Sequence, residues 1–234
     1  MTNPQSSSPA LVGLAPGLWA AASEVRMPGG LRLPTRMTVI ALGDGTLALH
    51  SPVAMSPELS AAVAALGQVA YVIAPSALHH VFVRPALERF VGAKLLGPEA
   101  LARKRPRLRF DTLLETHLPA PLSDTLDMLA VAGAPTVEEK VFLHKPTGSL
   151  LVTDLLFNIT APRGFVTKLV LRGTGTCGHL AQSRLWRFYG KDRAALSASG
   201  RALLGWRFDR LVPCHGEVLE TGAHAAVEQA LRFK

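Results

Sequence analysis

The sequence predicts an α+β fold, a four-layer αββα sandwich, on three observations. Apolar, β-branched runs alternate with helix signals along most of the chain. Two hairpin signals, Gly43-Asp44-Gly45 and Pro146-Thr147-Gly148, fall one in each half. Helices are predicted after each hairpin, so the two halves share one grammar, and hairpins mixed with helices in two similar halves point to sheets packed face to face with helices outside.

Met1 to Ala10 is polar and Ser/Pro-rich and reads as a loose tail, with 11–234 as a single domain. Gly17 to Ser23 reads as a strand and Pro28-Gly29-Gly30 as a turn; Met37 to Leu42 and Thr46 to His50 are the arms of the first hairpin. Ser56-Pro57-Glu58 supplies a cap, a proline at the first helical position and an acid in the first turn, so a helix runs to Leu66, where Gly67 stops it. Val69 to Ile73 is then a strand and leads into a loop ending in His79-His80. Arg84 to Phe90 is a helix, Lys94 to Leu96 a short strand, and Pro98 to Lys104 a helix opened by its proline. Lys140 to His144 and Leu150 to Thr153 form the second hairpin, which ends at Asp154. His144, alternating with Phe142, is expected to face solvent. Arg184 to Tyr189 and Asp192 to Leu204 are helices, Arg210 to Val212 a strand, and Ala223 to Leu231 a terminal helix.

A chain of 234 residues, 48% hydrophobic and 18% charged, is long enough to bury a substantial core. Two cysteines, Cys177 and Cys214, are too few for a disulfide framework, and a cytoplasmic location with both thiols reduced fits them. No signal peptide is visible. Leu59 to Leu78 is uncharged and as long as a membrane span, but it reads as a helix, a Gly67 stop and a strand instead. The net charge of +8 invites a nucleic-acid reading. Yet Arg103-Lys104-Arg105-Pro106-Arg107-Leu108-Arg109 is the one dense basic run, and at 6% aromatic residues no stacking platform accompanies it, so the run reads as a solvated loop.

The residues that carry chemistry stand where apolar runs end. Tyr71-Val72-Ile73-Ala74-Pro75-Ser76-Ala77-Leu78 closes on His79 and His80; Leu150 to Thr153 closes on Asp154; Arg210-Leu211-Val212-Pro213-Cys214 closes on His215-Gly216. Nearer the start, Ala15-Pro16-Gly17-Leu18-Trp19 and the first hairpin run on to His50-Ser51-Pro52. Together these marks resemble the metallo-β-lactamase superfamily over nearly the whole chain, in a divergent branch. That resemblance implies the αββα sandwich and a metal site at one sheet edge. It also shows what is missing.

On the family pattern His-x-His-x-Asp-His the segment reads Pro75, Ser76, Ala77, Leu78, His79, His80. The first two ligands have become Pro75 and Ala77, the middle histidine is absent around Gly133 to Thr136, and the usual Asp-Thr-Gly is His50-Ser51-Pro52. In dinuclear members the first metal takes the three lost positions. The second takes those that correspond to His79, His80, Asp154 and His215, so the resemblance implies one mononuclear site of three imidazoles and a carboxylate. Zinc or iron(II) suits that set, and nickel or copper is compatible with it. Adjacent residues on a strand point to opposite faces, so His79 and His80 reach one ion only if the loop turns between them. His80 and His215 are placed first among the ligands, Asp154 next, His79 last. Cys177-Gly178-His179 and Cys214 are weaker candidates, and a small buried residue is the simpler reading of Cys214.

The implied activity is metal-dependent hydrolysis of a small-molecule substrate of unknown class, with Asp154 as ligand or general base. The alternative is a non-catalytic binding protein that keeps the fold without a working site.

Overall fold

The computed structural model describes residues 10–232, so the expected tail of residues 1–10 lies outside the described residues apart from Ala10. The chain opens with an antiparallel meander: β1 (Leu11–Ala15), β2 (Leu18–Arg26), β3 (Arg32–Ala41) and β4 (Thr46–His50). Helices then alternate with parallel strands: α1 (Pro57–Ala64), β5 (Gln68–Ile73), α2 (Val83–Arg89), β6 (Lys94–Gly97), α3 (Glu99–Lys104) and β7 (Thr112–Leu113). The seven strands lie side by side in chain order. The start of α1 forms as its residues dictate: Ser56 Oγ accepts from Leu59 N at 3.2 Å and Pro57 occupies the first turn.

After α4 (Leu122–Thr125), the strands β8 (Leu126–Ala130), β9 (Lys140–His144) and β10 (Ser149–Val152) form a second meander. A small pair follows, β11 (Phe157–Asn158) with β12 (Leu180–Ala181), interrupted by α5 (Phe165–Thr174). Then come α6 (Trp186–Tyr189), α7 (Arg193–Leu204), β13 (Arg210–Pro213) and α8 (Ala223–Ala230). The second sheet has the order β13-β10-β9-β8, with β13 parallel to β10.

Strand parity makes the four layers. On β4, Leu47 and Leu49 face outward and pack with Leu59 and Val63 of α1, Val83 and Ala86 of α2, and Leu101 of α3. Ala48 faces the other way, with Leu18, Ile40, Ile73 and Leu96, onto Leu126, Phe142, Leu151 and Val212 of the second sheet. That sheet's far face, Val141, Leu143, Leu150, Val152 and Leu211, is covered by Trp186, Leu196, Leu203 and Val227 of the last three helices. The result is an αββα sandwich. Among the described residues no helix is long and apolar enough to cross a membrane, and 59–78 is α1 followed by β5.

Both faces of β9 are therefore covered, which corrects the placement of His144. It shares Phe142's parity, points between the sheets and is 1% exposed. Burial pushes its imidazole down to about 4. The unfolded chain takes up that proton as pH falls below the ordinary 6.5, whereas the folded chain resists until about 4, so stability is complete above 6.5 and lost on the way down. That is on the order of 3 kcal/mol. Denaturant midpoints between pH 7 and 4 should fall steeply in the native protein and less steeply in His144→Gln. Equal slopes would show that this imidazole titrates normally.

Candidate metal centre

Three strand ends meet at one edge of the sandwich. Because β10 and β13 are parallel with Val152 opposite Pro213, Asp154 and His215 each stand two residues beyond a paired position. Beyond β5 the chain turns at Ser76, which is wholly buried. Its Oγ accepts from Leu78 N at 3.2 Å and His79 N at 3.3 Å and donates to Asp154 Oδ2 at 3.2 Å. Lys104 Nζ props the same loop by donating to Ala77 O at 2.9 Å.

The turn presents His79 to the other two strand ends. His79 Nε2 lies 3.1 Å from His215 Nε2 and 3.4 Å from Asp154 Oδ2, and His215 Nε2 lies 3.8 Å from Asp154 Oδ1. One donor atom from each of the three residues lies within 4.8 Å of the others. Donors about 2.0–2.1 Å from a tetrahedral zinc are about 3.3 Å apart, so these separations suit a shared ion. His80 stands outside this group. The turn that brings His79 in carries the next residue past it, and the ring of His80 rests near Lys104 and Arg105. Burial first, then those two positive charges, lowers its pKa. The structure thus assembles His79, Asp154 and His215 and not His80, the reverse of the order in which the two loop histidines were ranked.

The far side of each ring is held. His215 Nδ1 donates to Pro34 O at 2.8 Å; a carbonyl only accepts, so the proton sits on Nδ1 and the Nε2 lone pair faces the cluster. Phe157 stacks on the same ring at 4.8 Å. His79 Nδ1 meets Ser51 Oγ at 2.7 Å. Ser51 stands where the family's Asp-Thr-Gly would be and adopts φ 53°, a left-handed conformation that a non-glycine side chain avoids without compensation. The Trp186 indole N–H donates to the Asp154 main-chain carbonyl at 2.8 Å. Ser51, Ser76, Phe157 and Trp186 were not singled out from the sequence, because an orienting residue has no spacing rule of its own.

Charge completes the description. Burial alone would raise the Asp154 carboxyl and lower the His79 imidazole. The pair outweighs it: Asp154 is held well below the usual carboxylate range by His79, and His79 is raised well above 6.5 by Asp154. Glu139, fully buried, is pushed up to about 8 by burial and by the charge of Asp154, against the pull of the Thr153 amide that it accepts at 2.7 Å. A cation held by these three donors would therefore have to displace the proton that the raised pKa favours on His79. The affinity for such a cation would weaken as pH falls below the raised His79 pKa.

Ser51→Ala should weaken zinc binding about 10–100-fold, the usual effect of losing a group that orients a ligating histidine. Titration against a chromophoric chelator measures it; an unchanged affinity would show that the Ser51 hydroxyl does not hold the ring.

A family model described as a domain of unknown function, DUF4336, matches residues 22–174, a span that includes His79 and Asp154. The chain belongs to the DUF4336 family. No curated protein matches it significantly. Among solved structures, this DUF4336 chain is similar to a metallo-β-lactamase from Pontibacter korlensis, at TM-score 0.68 and 12% identity over 97% of this chain and 100% of that one. It is also similar to FIM-1 of Pseudomonas aeruginosa in its mono-zinc form, at TM-score 0.66 and 14% identity over 97% and 96% of the two chains. For the metallo-β-lactamase of Hirschia baltica the values are 0.65, 13%, 96% and 98%. These establish the metallo-β-lactamase fold. Within it, the DUF4336 chain is a divergent branch with an incomplete ligand set: among the described residues a single three-residue cluster, with Pro75 and Ala77 at lost positions.

Proposed function

We propose that this protein is a mononuclear metal-dependent hydrolase acting on a small molecule, with zinc or iron(II) held by His79, Asp154 and His215. The observation that carries the reading is the convergence of two imidazole Nε2 atoms and a carboxylate whose outer faces are already engaged. A divalent ion there would supply Lewis-acid polarisation of a scissile bond and make water more acidic. The chain's own contribution is orientation: Pro34 O and Ser51 fix the rings, and Ser76 fixes the carboxylate. The low pKa of Asp154 favours its role as ligand over that of general base, because a carboxylate held so far down takes a proton poorly at neutral pH. A reducing cytosol suits the free thiols Cys177 and Cys214.

The loss of coordinating side chains at Pro75 and Ala77 favours the second reading, a binding protein that kept the fold without the chemistry. Elemental analysis of the purified protein, with a screen of ester, thioester, amide and phosphodiester substrates before and after chelation, separates them. One equivalent of metal and chelator-sensitive turnover are expected. Absence of metal after incubation with zinc and iron(II) overturns the metal site; bound metal with no turnover in any class favours the binding protein.

A further inference from the structure

Behind Trp186 lies a cavity of about 460 Å³ that the metal centre does not use. Arg187, Arg193 and Arg232 line it, with the hydroxyl residues Ser183 and Ser197, and Trp186 itself, 4% exposed, forms an apolar wall. Among the described residues no acidic side chain lines this cavity. Among the described residues none of the three arginines, all of them exposed, is in an ion pair, although arginines elsewhere do pair, as Arg103 does with Glu99 and Arg210 with Glu220. The start of α7 needs no further acceptor, because Asp192 already caps it, accepting from Ala195 N at 3.0 Å.

Three like charges around one concavity repel each other, and an anion placed among them relieves that repulsion. Guanidinium groups present fixed forks that match the oxygens of phosphate and carboxylate, and hydroxyls supply further donors. We propose that this cavity is an oxyanion-binding site for a small organic phosphate or carboxylate. The site touches the metal centre through one side chain: the indole that forms the cavity wall also donates to Asp154 O.

The inference stands apart from the hydrolase reading and is tested without metal. Chelator-treated full-length protein is titrated at low salt with inorganic phosphate and, separately, with succinate, by calorimetry and by tryptophan fluorescence. Saturable binding of at least one is expected. Arg187→Ala/Arg193→Ala should weaken it at least tenfold at unchanged melting temperature, and Trp186→Phe should abolish the fluorescence change. Arg172→Ala, an exposed arginine on α5, should leave binding as it is. Phosphate binding alone identifies a phosphate-bearing ligand, and succinate alone a carboxylate. No saturable binding of either, or equal binding by the double variant, overturns the proposal.

Discussion

Gly216→Ala should destabilise the protein by about 3 kcal/mol and abolish metal binding, through two separable effects. Gly216 follows the proposed ligand His215 at φ 104°, a region that L side chains rarely adopt, and a Cβ there would overlap the Asn158 carbonyl. That close approach is structural. Asn158 N donates to His215 O at 2.9 Å and Glu217 N donates to Asn158 O at 2.7 Å, so β11 is pinned along the ligand-bearing segment. Gly222 is the control, since it has φ 69° with nothing near a Cβ, and its alanine variant should cost only the conformational strain, about 1 kcal/mol. Thermal denaturation of both variants measures the contrast, at about 2–4 °C per kcal/mol for a chain of this size. If Gly216→Ala were as mild as Gly222→Ala, the approach to Asn158 would not be what holds His215.

Chelation should lower the melting temperature of metal-loaded protein by about 5–10 °C, and His215→Ala should erase that sensitivity. A ligand that binds only the native state stabilises it by about 2.7 kcal/mol at a hundredfold excess over Kd, and the temperature scale of a chain this size converts that figure. The ion would tie three strand ends together, yet the sandwich has its own core between and outside both sheets, so the chelated protein stays folded, unlike a zinc finger. His80→Ala should behave like the native protein, because His80 stands outside the cluster. Superimposable melting curves before and after verified removal of the ion would leave the centre without a structural role, and loss of the response in His80→Ala would restore that residue as a ligand.

What could be read from the sequence was whatever has a local cause. Ser56-Pro57 starts α1, Asp192 caps α7, and the second hairpin forms around residues 145–147, where Gly148 takes the left-handed conformation. The αββα architecture and the strand-end placement of Asp154 and His215 followed from such signals and from the family resemblance. β8 did not, because residues 131–139, which join it to its partner β9, form a connection too long to give the short-turn signal of a hairpin. α5 was missed because its buried stripe is only Thr167 and Leu171, with Phe165 and Leu169 left exposed. The choice between His79 and His80 depends on which way a chain turns after Pro75, and the hydroxyl of Ser76, bonded to residues 78, 79 and 154, determines that. His144 was misplaced for a non-local reason: strand parity tells which residues share a face, but not whether that face is covered.

The parallel pairing of β10 with β13 has a kinetic consequence. Two parallel strands cannot be joined by a tight turn, and here the whole stretch from Thr153 to Asp209 intervenes, with a small strand pair and three helices in it. The pairing therefore closes a long loop, whose entropic cost must be met before the contacts that reward it exist. His79 and Asp154 follow strands that pair with near neighbours in the sequence, β5 with β4 and β10 with β9. His215 arrives only when β13 has docked. The three residues thus meet only once that long loop has closed, and an ion that needed all three could bind only after β13 had docked.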